Sequence, residues 1–273
     1  MNRIGAIAAS EFRIALRNRW VAIAVVMMAL FALVLSAAGS APTGQLGADK
    51  LSVTVASLTS LAVYLVPLMA LLMAFDAVAG EVERGTLPLV LTYPVSRPEI
   101  LAGKFAAHLA TLAIAVGAGY GIAAAAAMAM DPRAVEGIPA LVRLFWTSLL
   151  LGATFLGLAY GISAAARRPG AAAGLAIGLW LVFIVLYDLG LLAGVVADGG
   201  GTFTTAVFPW MILANPADAF RLYNLAASEA TAAAAGIAGA ANTIPPAHAL
   251  ASMLLWPAAA FLAAVAVFRR VTP

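Results

Sequence analysis

Residues 51–104 read LSVTVASLTSLAVYLVPLMALLMAF-DAVAGEVERGTLPLVLTYPVSRPEILAGK. The first part, Leu51 to Phe75, carries no charge, and the second holds Asp76, Glu81, Glu83, Arg84, Arg97, Glu99 and Lys104. A helix needs about 20 mostly apolar residues to cross a hydrocarbon core of about 30 Å, at 1.5 Å per residue. The first part therefore predicts a membrane span and the second a polar loop at one membrane face.

The rest of the chain repeats this pattern. Of its 273 residues, 64% are hydrophobic and 10% charged, against about 25% charged in a soluble domain. Such a chain cannot build a polar coat, and a bilayer is the solvent it fits. Uncharged or nearly uncharged stretches at 20–40, 51–75, 105–130, 144–166, 171–197 and 247–268 predict six transmembrane helices, the only ionisable groups in them being His108, Asp188 and His248. The fold class expected is all-α integral membrane, with one permease-like membrane domain over 1–273. Residues 225–241 are alanine-rich and hold Glu229; alanine contributes little to insertion and a central Glu opposes it, so this stretch reads as a surface or interfacial helix within an outer segment 198–246. The apolar run at 20–40 is longer than a signal h-region of about 7–15 residues and is expected to be retained. The chain has no cysteine, which removes disulfides, thiolate metal sites and thiol nucleophiles. A net charge of +3 gives no reason to expect nucleic acid.

With the N-terminus inside, Arg3, Arg13, Arg17, Arg19, Arg84, Arg97, Lys104, Arg167, Arg168, Arg269 and Arg270 are cytoplasmic. Lys50, Arg133, Arg143 and Arg221 are outside. The positive-inside rule thus expects both termini and the 76–104 loop in the cytoplasm of a bacterial inner membrane protein.

Residues 1–19 show helical periodicity. Arg3, Ser10, Arg13 and Arg17 share one face and Ile4, Ala8, Phe12, Ala15 and Leu16 the other, the pattern of a helix lying in the membrane interface. Glu11 falls near the apolar face, where an unpaired carboxylate is costly. Either it pairs with a basic group elsewhere or it reaches water.

In the loop, Glu81 and Arg84 are three apart and neighbour each other on a helix. Gly85 permits close backbone approach. Leu87, Leu89, Val90 and Leu91 are apolar in an aqueous segment, and Pro94 and Pro98 are expected to break the structure before the third span. A charged helix with an apolar patch suits docking to a soluble partner; the competing reading is a solvated loop with interfacial leucines.

The runs Glu81-Val82-Glu83-Arg84-Gly85-Thr86-Leu87, Leu91-Thr92-Tyr93-Pro94-Val95-Ser96-Arg97 and Gly103-Lys104, with Glu11-Phe12-Arg13 and Leu16-Arg17-Asn18-Arg19-Trp20 near the start, resemble ABC-2 type ABC transporter permeases. The resemblance implies the ABC-2 (type V exporter-like) fold: six spans, an elbow helix using Glu11, Arg13 and Arg17, and a cytoplasmic coupling helix. It implies that Glu81, Glu83, Arg84, Gly85, Thr86, Leu87 and Arg97 couple the chain to an ATPase subunit. The partners implied are a second copy of the chain and two cytoplasmic ATPase subunits. ATP and Mg would be bound by those subunits, with no cofactor, metal or catalytic residue in this chain; no Walker A loop is present. Pro88 departs from the family pattern, where a helix former is common, and speaks against one unbroken coupling helix. Within the family, Leu51–Leu58 and Asn215–Leu222 resemble the branch that serves maturation of the copper enzyme nitrous oxide reductase, which implies a periplasmic copper-handling partner.

Asn215 before Pro216 favours an extended or turn conformation, and Asp218 suits the start of a helix containing Phe220, Leu222 and Tyr223. Asn215, Asp218, Phe220 and Arg221 are candidates for contact with an outer partner, against a reading in which they close the outer end of the fold. Asp188, about 26 Å beyond Ala171 along the helix, is an intramembrane candidate near the outer mouth. Met69 and Met73 share a helix face; methionine is a routine packing residue, and no metal site is expected. The competing function is an ATP-independent, ion-coupled secondary transporter, which requires paired ionisable residues near the midplane.

Overall fold

A computed structural model describes residues 3–16, 49–166, 168–226 and 244–271, with a few positions between 26 and 34. The expected span at 20–40 and the alanine-rich helix lie almost wholly outside the described residues, as do Arg17, Arg19 and Arg167. The described residues contain helices and turns and no strand. Among the described residues, five helical stretches are long and apolar enough to cross a membrane: Lys50–Glu83, Arg97–Met130, Pro132–Ala166, Pro169–Asp198 and Pro246–Phe268. A shorter apolar stretch covers Phe203–Ala214.

Helix α1 is Arg3–Leu16 and lies along α5, Arg97–Met130. Helix α2, Lys50–Ala74, starts at Asp49, whose carboxylate accepts from the Ser52 amide at 2.9 Å, a side-chain N-cap. Asp131 accepts from the Lys50 amide at 3.2 Å and tethers the start of α2 to the turn after α5. A 3₁₀ turn, Pro132–Gly137, leads into α6, Ile138–Ala166. The loop between α2 and α5 holds α3, Ala79–Glu83, and α4, Leu87–Leu91.

Helix α5 begins earlier than its apolar stretch. Ser96 and Glu99 form a capping box, with the Ser96 amide donating to Glu99 at 2.7 Å. Pro98 sits in the first turn, where a missing N–H costs nothing. The expectation that Pro98 breaks the structure is corrected: it opens the helix.

Helix α6 is the centre of the bundle. It packs on α2, α5 and α11, the last being Pro246–Phe268. At Gly157 the α6 backbone meets α11 so closely that a Cβ would fall 2.8 Å from Ala260 Cβ. Small residues let membrane helices approach in this way, because lipid provides little hydrophobic drive between helices. Two buried hydroxyls on α6 are paired with other elements: Ser148 with Tyr120 at 2.8 Å, and Thr147 with Asn224 at 2.9 Å.

Helix α7, Pro169–Leu181, continues through a π turn, Val182–Leu186, into α8, Tyr187–Asp198. Few of the side chains along this stretch are buried on the isolated chain, and Leu189, Leu192 and Val196 are exposed. The segment expected as an outer stretch at 198–246 is not a free loop where described. A second π turn, Phe203–Val207, passes into α9, Phe208–Ala214, and α10, Pro216–Leu225. Helix α10 folds back against α11, α2 and α6. The α3–α4 loop marks one end of the bundle, the loop end; α10 marks the far end.

Candidate coupling site

At the loop end, Val78 and Ala79 both donate their amides to Ser163 Oγ on α6, each at 3.0 Å. These are orphan donors of a helix N-terminus, so α6 itself holds the start of α3. The end of α3 is a Schellman closure: the Gly85 amide donates to the Val82 carbonyl at 3.1 Å and the Thr86 amide to the Glu81 carbonyl at 2.9 Å. Gly85 has φ +65°, a left-handed conformation that glycine adopts without strain. A single coupling helix is therefore replaced by two one-turn helices. The break lies at Gly85 rather than Pro88, which occupies the first turn of α4.

This fold redistributes the residues expected to meet an ATPase. Leu87 is fully buried in the core rather than aqueous. Arg97 turns toward the end of α11, donating to the carbonyls of Phe268 at 2.8 Å, Arg269 at 3.3 Å and Val271. It also stands 5.7 Å over the Phe268 ring. The last carbonyls of a helix lack intrahelical partners and carry partial negative charge, which a guanidinium satisfies. Glu81 faces inward and Thr86 is half-buried. Glu81, Leu87 and Arg97 thus turn toward the body of the fold. Glu83, Arg84 and Gly85 are exposed, together with Leu89 at 64% and Tyr93 at 68%.

Glu81 faces inward because of Lys104. The Lys104 ammonium lies 2.6 Å from Glu11 Oε1 and 2.7 Å from Glu81 Oε1. Its side chain is 6% exposed. Three elements meet at this one nitrogen: α1 through Glu11, the loop through Glu81, and α5 through Lys104 itself. The approach of α1 depends on Gly103, where a Cβ would fall 2.7 Å from Ile7 Cβ. Of the two readings for Glu11, the pairing is the one found. Arg13 lies on the same helix and is exposed. A cavity of about 480 Å³ opens beside the cluster, lined by Glu11, Asp76, Glu81, Arg84, Lys104 and His108 among others. His108 Nδ1 shares a 2.6 Å hydrogen bond with the Tyr160 hydroxyl. Sequence reading placed Lys104 at the mouth of the span but gave it no role. Its partners are 93 and 23 positions away, and only their carboxylate character at the same membrane face hinted at the pairing.

At the far end, Asn215 caps α10 by accepting from the Ala217 amide at 2.9 Å. Its amide nitrogen donates to the Phe183 carbonyl in the π turn at 2.7 Å. A π turn disturbs the regular ladder of a helix, and Asn215 takes up a carbonyl there. Asn215, Asp218 and Phe220 are all buried. These three pack inside the fold, and Arg221 alone of the four is partly accessible. Arg221 lies 3.1 Å from Asp188 and 3.5 Å from Asp218. Burial, then the neighbouring Asp188 charge, push the Asp218 carboxyl up to about 8, with Arg221 opposing. Asp188 is thus a paired carboxylate, not an isolated one. Among the described residues, no cluster of His, Cys, Asp or Glu suits a metal ion.

The profile of the ABC-2 family transporter proteins matches residues 5–272. A chain from Pseudomonas aeruginosa described as "Probable ABC transporter permease protein NosY" is 44% identical, the match covering 97% of each chain. A protein of the same description from Stutzerimonas stutzeri is 42% identical over 99% of each. With several apolar helices of spanning length, an elbow-like α1 and a structured loop between the spans, the chain belongs to the ABC-2 family of transporter proteins and is a multi-pass ABC transporter permease subunit.

Proposed function

We propose that this permease works as a non-catalytic transducer driven by two separate ATPase subunits, which bind ATP and Mg and seat on the loop end of a dimer of this chain. The observation that carries the reading is the Lys104 bridge between Glu11 and Glu81. It ties the loop to the elbow helix and to the foot of α5, so a displacement of the loop is passed to two helices at once. Packed, ion-paired elements transmit such displacements as rigid units. The surface offered to the ATPase is the exposed set Glu83, Arg84, Leu89 and Tyr93, in which an aromatic and an aliphatic anchor are ringed by charge. The loop end and both termini are cytoplasmic in this reading, and the membrane is a bacterial inner membrane, in keeping with the distribution of Lys and Arg. The far end then faces the periplasm, where the relatives' name and the resemblance in 51–58 and 215–222 support a copper-handling partner in nitrous oxide reductase maturation.

The test is copurification and ATP turnover. The complex is expected to retain its ATPase subunit, and Leu89→Asp with Tyr93→Ala is expected to release it while leaving the chain in the membrane. Retention of the ATPase by that double variant, with normal coupled turnover, would remove the loop surface from the mechanism.

A further inference from the structure

A pocket of about 380 Å³ at the far end is lined by Leu191, Leu192, Val195, Phe208, Ile212 and Leu222, with Asp188, Asp218 and Arg221 at one side. We propose that it holds the headgroup of an aminophospholipid, its ammonium between Asp188 and Asp218 and its phosphate toward Arg221. This goes beyond the ATP-coupling proposal and does not depend on it.

Charge supplies the first argument. Two carboxylates face one guanidinium, so the cluster has room for one more positive charge. A zwitterion of ammonium and phosphate matches a site of carboxylates and guanidinium, with Arg suited to the planar phosphate contact.

The second argument is an unsatisfied atom. The Asp218 side chain is only 8% exposed, and its Oδ2 has no hydrogen-bond partner. The neighbouring acceptor is Asp188, so Oδ2 is satisfied within the protein only by holding a proton toward that carboxylate. An ammonium carries three donors and can replace that proton between two carboxylates. A trimethylated choline nitrogen has no N–H and cannot, which makes the site selective.

Position is the third. Asp188 stands about 26 Å along the helix from Ala171, the level of a headgroup rather than of acyl chains. The pocket is lined by Leu192, which is 60% exposed; with Val196, four residues on along α8 and 73% exposed, it offers an apolar surface for the attached chains. The groups facing Asp218 are Asp188 and Tyr187 from α8 and Arg221 from its own helix. Ammonium binding displaces the Asp218 proton, so retention strengthens as pH rises toward about 8.

The experiment uses the full chain with its ATPase partner in nanodiscs of equal phosphatidylethanolamine and phosphatidylcholine with matched acyl chains. Retained lipid is counted by native mass spectrometry. The wild type is expected to keep phosphatidylethanolamine about fivefold over phosphatidylcholine, a modest difference in affinity. Asp218→Asn keeps shape and is expected to abolish the preference. Leu192→Trp blocks the mouth from an exposed position and is expected to do the same without disturbing the buried cluster. Equal retention of the two lipids by the wild type, or a preference unchanged in both variants, overturns the proposal. Displacement by dodecylammonium without any lipid preference assigns the pocket to a soluble amphiphilic amine instead and also overturns it. So does a disulfide between two copies of a Leu192→Cys variant, which in a chain lacking cysteine would show that a second copy covers the mouth.

Discussion

The guanidinium of Arg97 donates to the carbonyl of Phe268 at 2.8 Å and stands 5.7 Å above its ring. The first residue of α5 thereby closes the last turn of α11, 171 positions away in sequence. This arrangement makes Arg97 a clasp for the C-terminal helix as well as a member of the loop motif.

Arg97→Ala is expected to loosen residues 268–271 by about 1–2 kcal/mol, the scale of charge-assisted hydrogen bonds at a partly exposed site. Arg269 and Arg270 are tryptic sites beside the clasp, and cleavage there requires local opening. Faster tryptic cutting at those positions in the variant is the expected result. Arg97→Lys is expected to fall between, because an ammonium cannot bridge several carbonyls with a fixed fork. Unchanged cutting together with loss of the ATPase subunit would make Arg97 a partner contact instead.

Lys104→Met tests the junction of α1, the loop and α5. Removing one side of a buried pair leaves the other charge uncompensated and typically costs about 3–5 kcal/mol. Here it would leave Glu11 and Glu81 facing each other, so the variant is expected to melt well below the wild type and to lose coupled ATP turnover. Adding Glu11→Gln and Glu81→Gln removes the stranded charges. The triple variant is expected to regain much of the melting temperature, read by scanning fluorimetry, yet not the coupling. Full recovery of coupling in the triple variant would show that the ion cluster serves stability alone.

The spans themselves were legible because a bilayer demands long apolar runs, and α2 or α11 announces itself by the lack of charge. Where each helix starts was less so. Helix α5 begins at Arg97 because Ser96 and Glu99 cap it, a local signal hidden by the proline beside it. The loop break at Gly85 follows from glycine's tolerance of positive φ, while Pro88 drew attention to the wrong position. The extended backbone at Asn215 was readable from Asn-Pro, whereas the helix start was expected at Asp218 and is capped by Asn215 itself. Its burial was not, because polar composition suggested a surface. The hydrogen bond to Phe183 in the π turn is a tertiary fact. Lys104, Glu11 and Glu81 likewise come together only when three elements pack, and no local pattern encodes their distances.

Gly157 and Gly161 on α6 form an internal comparison of close packing. A Cβ at 157 would lie 2.8 Å from Ala260 Cβ and 2.9 Å from backbone atoms of α11, whereas at 161 the nearest atom is Ala264 Cα at 3.8 Å. Backbone cannot yield as a flexible side chain can. Gly157→Ala is therefore expected to push α6 and α11 apart and cost about 1–3 kcal/mol. Gly161→Ala is expected to be close to neutral or slightly stabilising through helix propensity. Equal melting temperatures for the two variants would contradict the crossing geometry.

Asp218 links far-end packing to pH. Its carboxyl lies at about 8 in the folded chain, against about 3.9 when exposed. The folded state thus holds a proton that the unfolded state has lost across that range. By linkage, stability is greatest at the acid side and falls as pH rises from about 4 to about 8, by at most about 1.4 kcal/mol per unit, and is level above. In detergent free of aminolipid, the wild type is expected to melt at a lower temperature at pH 8 than at pH 6. Asp218→Asn carries no titratable group at the site and is expected to lose that part of the slope. The comparison is the difference between the two proteins at each pH, since the remaining titrations are common to both. A difference that stays constant from pH 6 to pH 8 would mean that Asp218 is already ionised throughout, with Arg221 outweighing the burial.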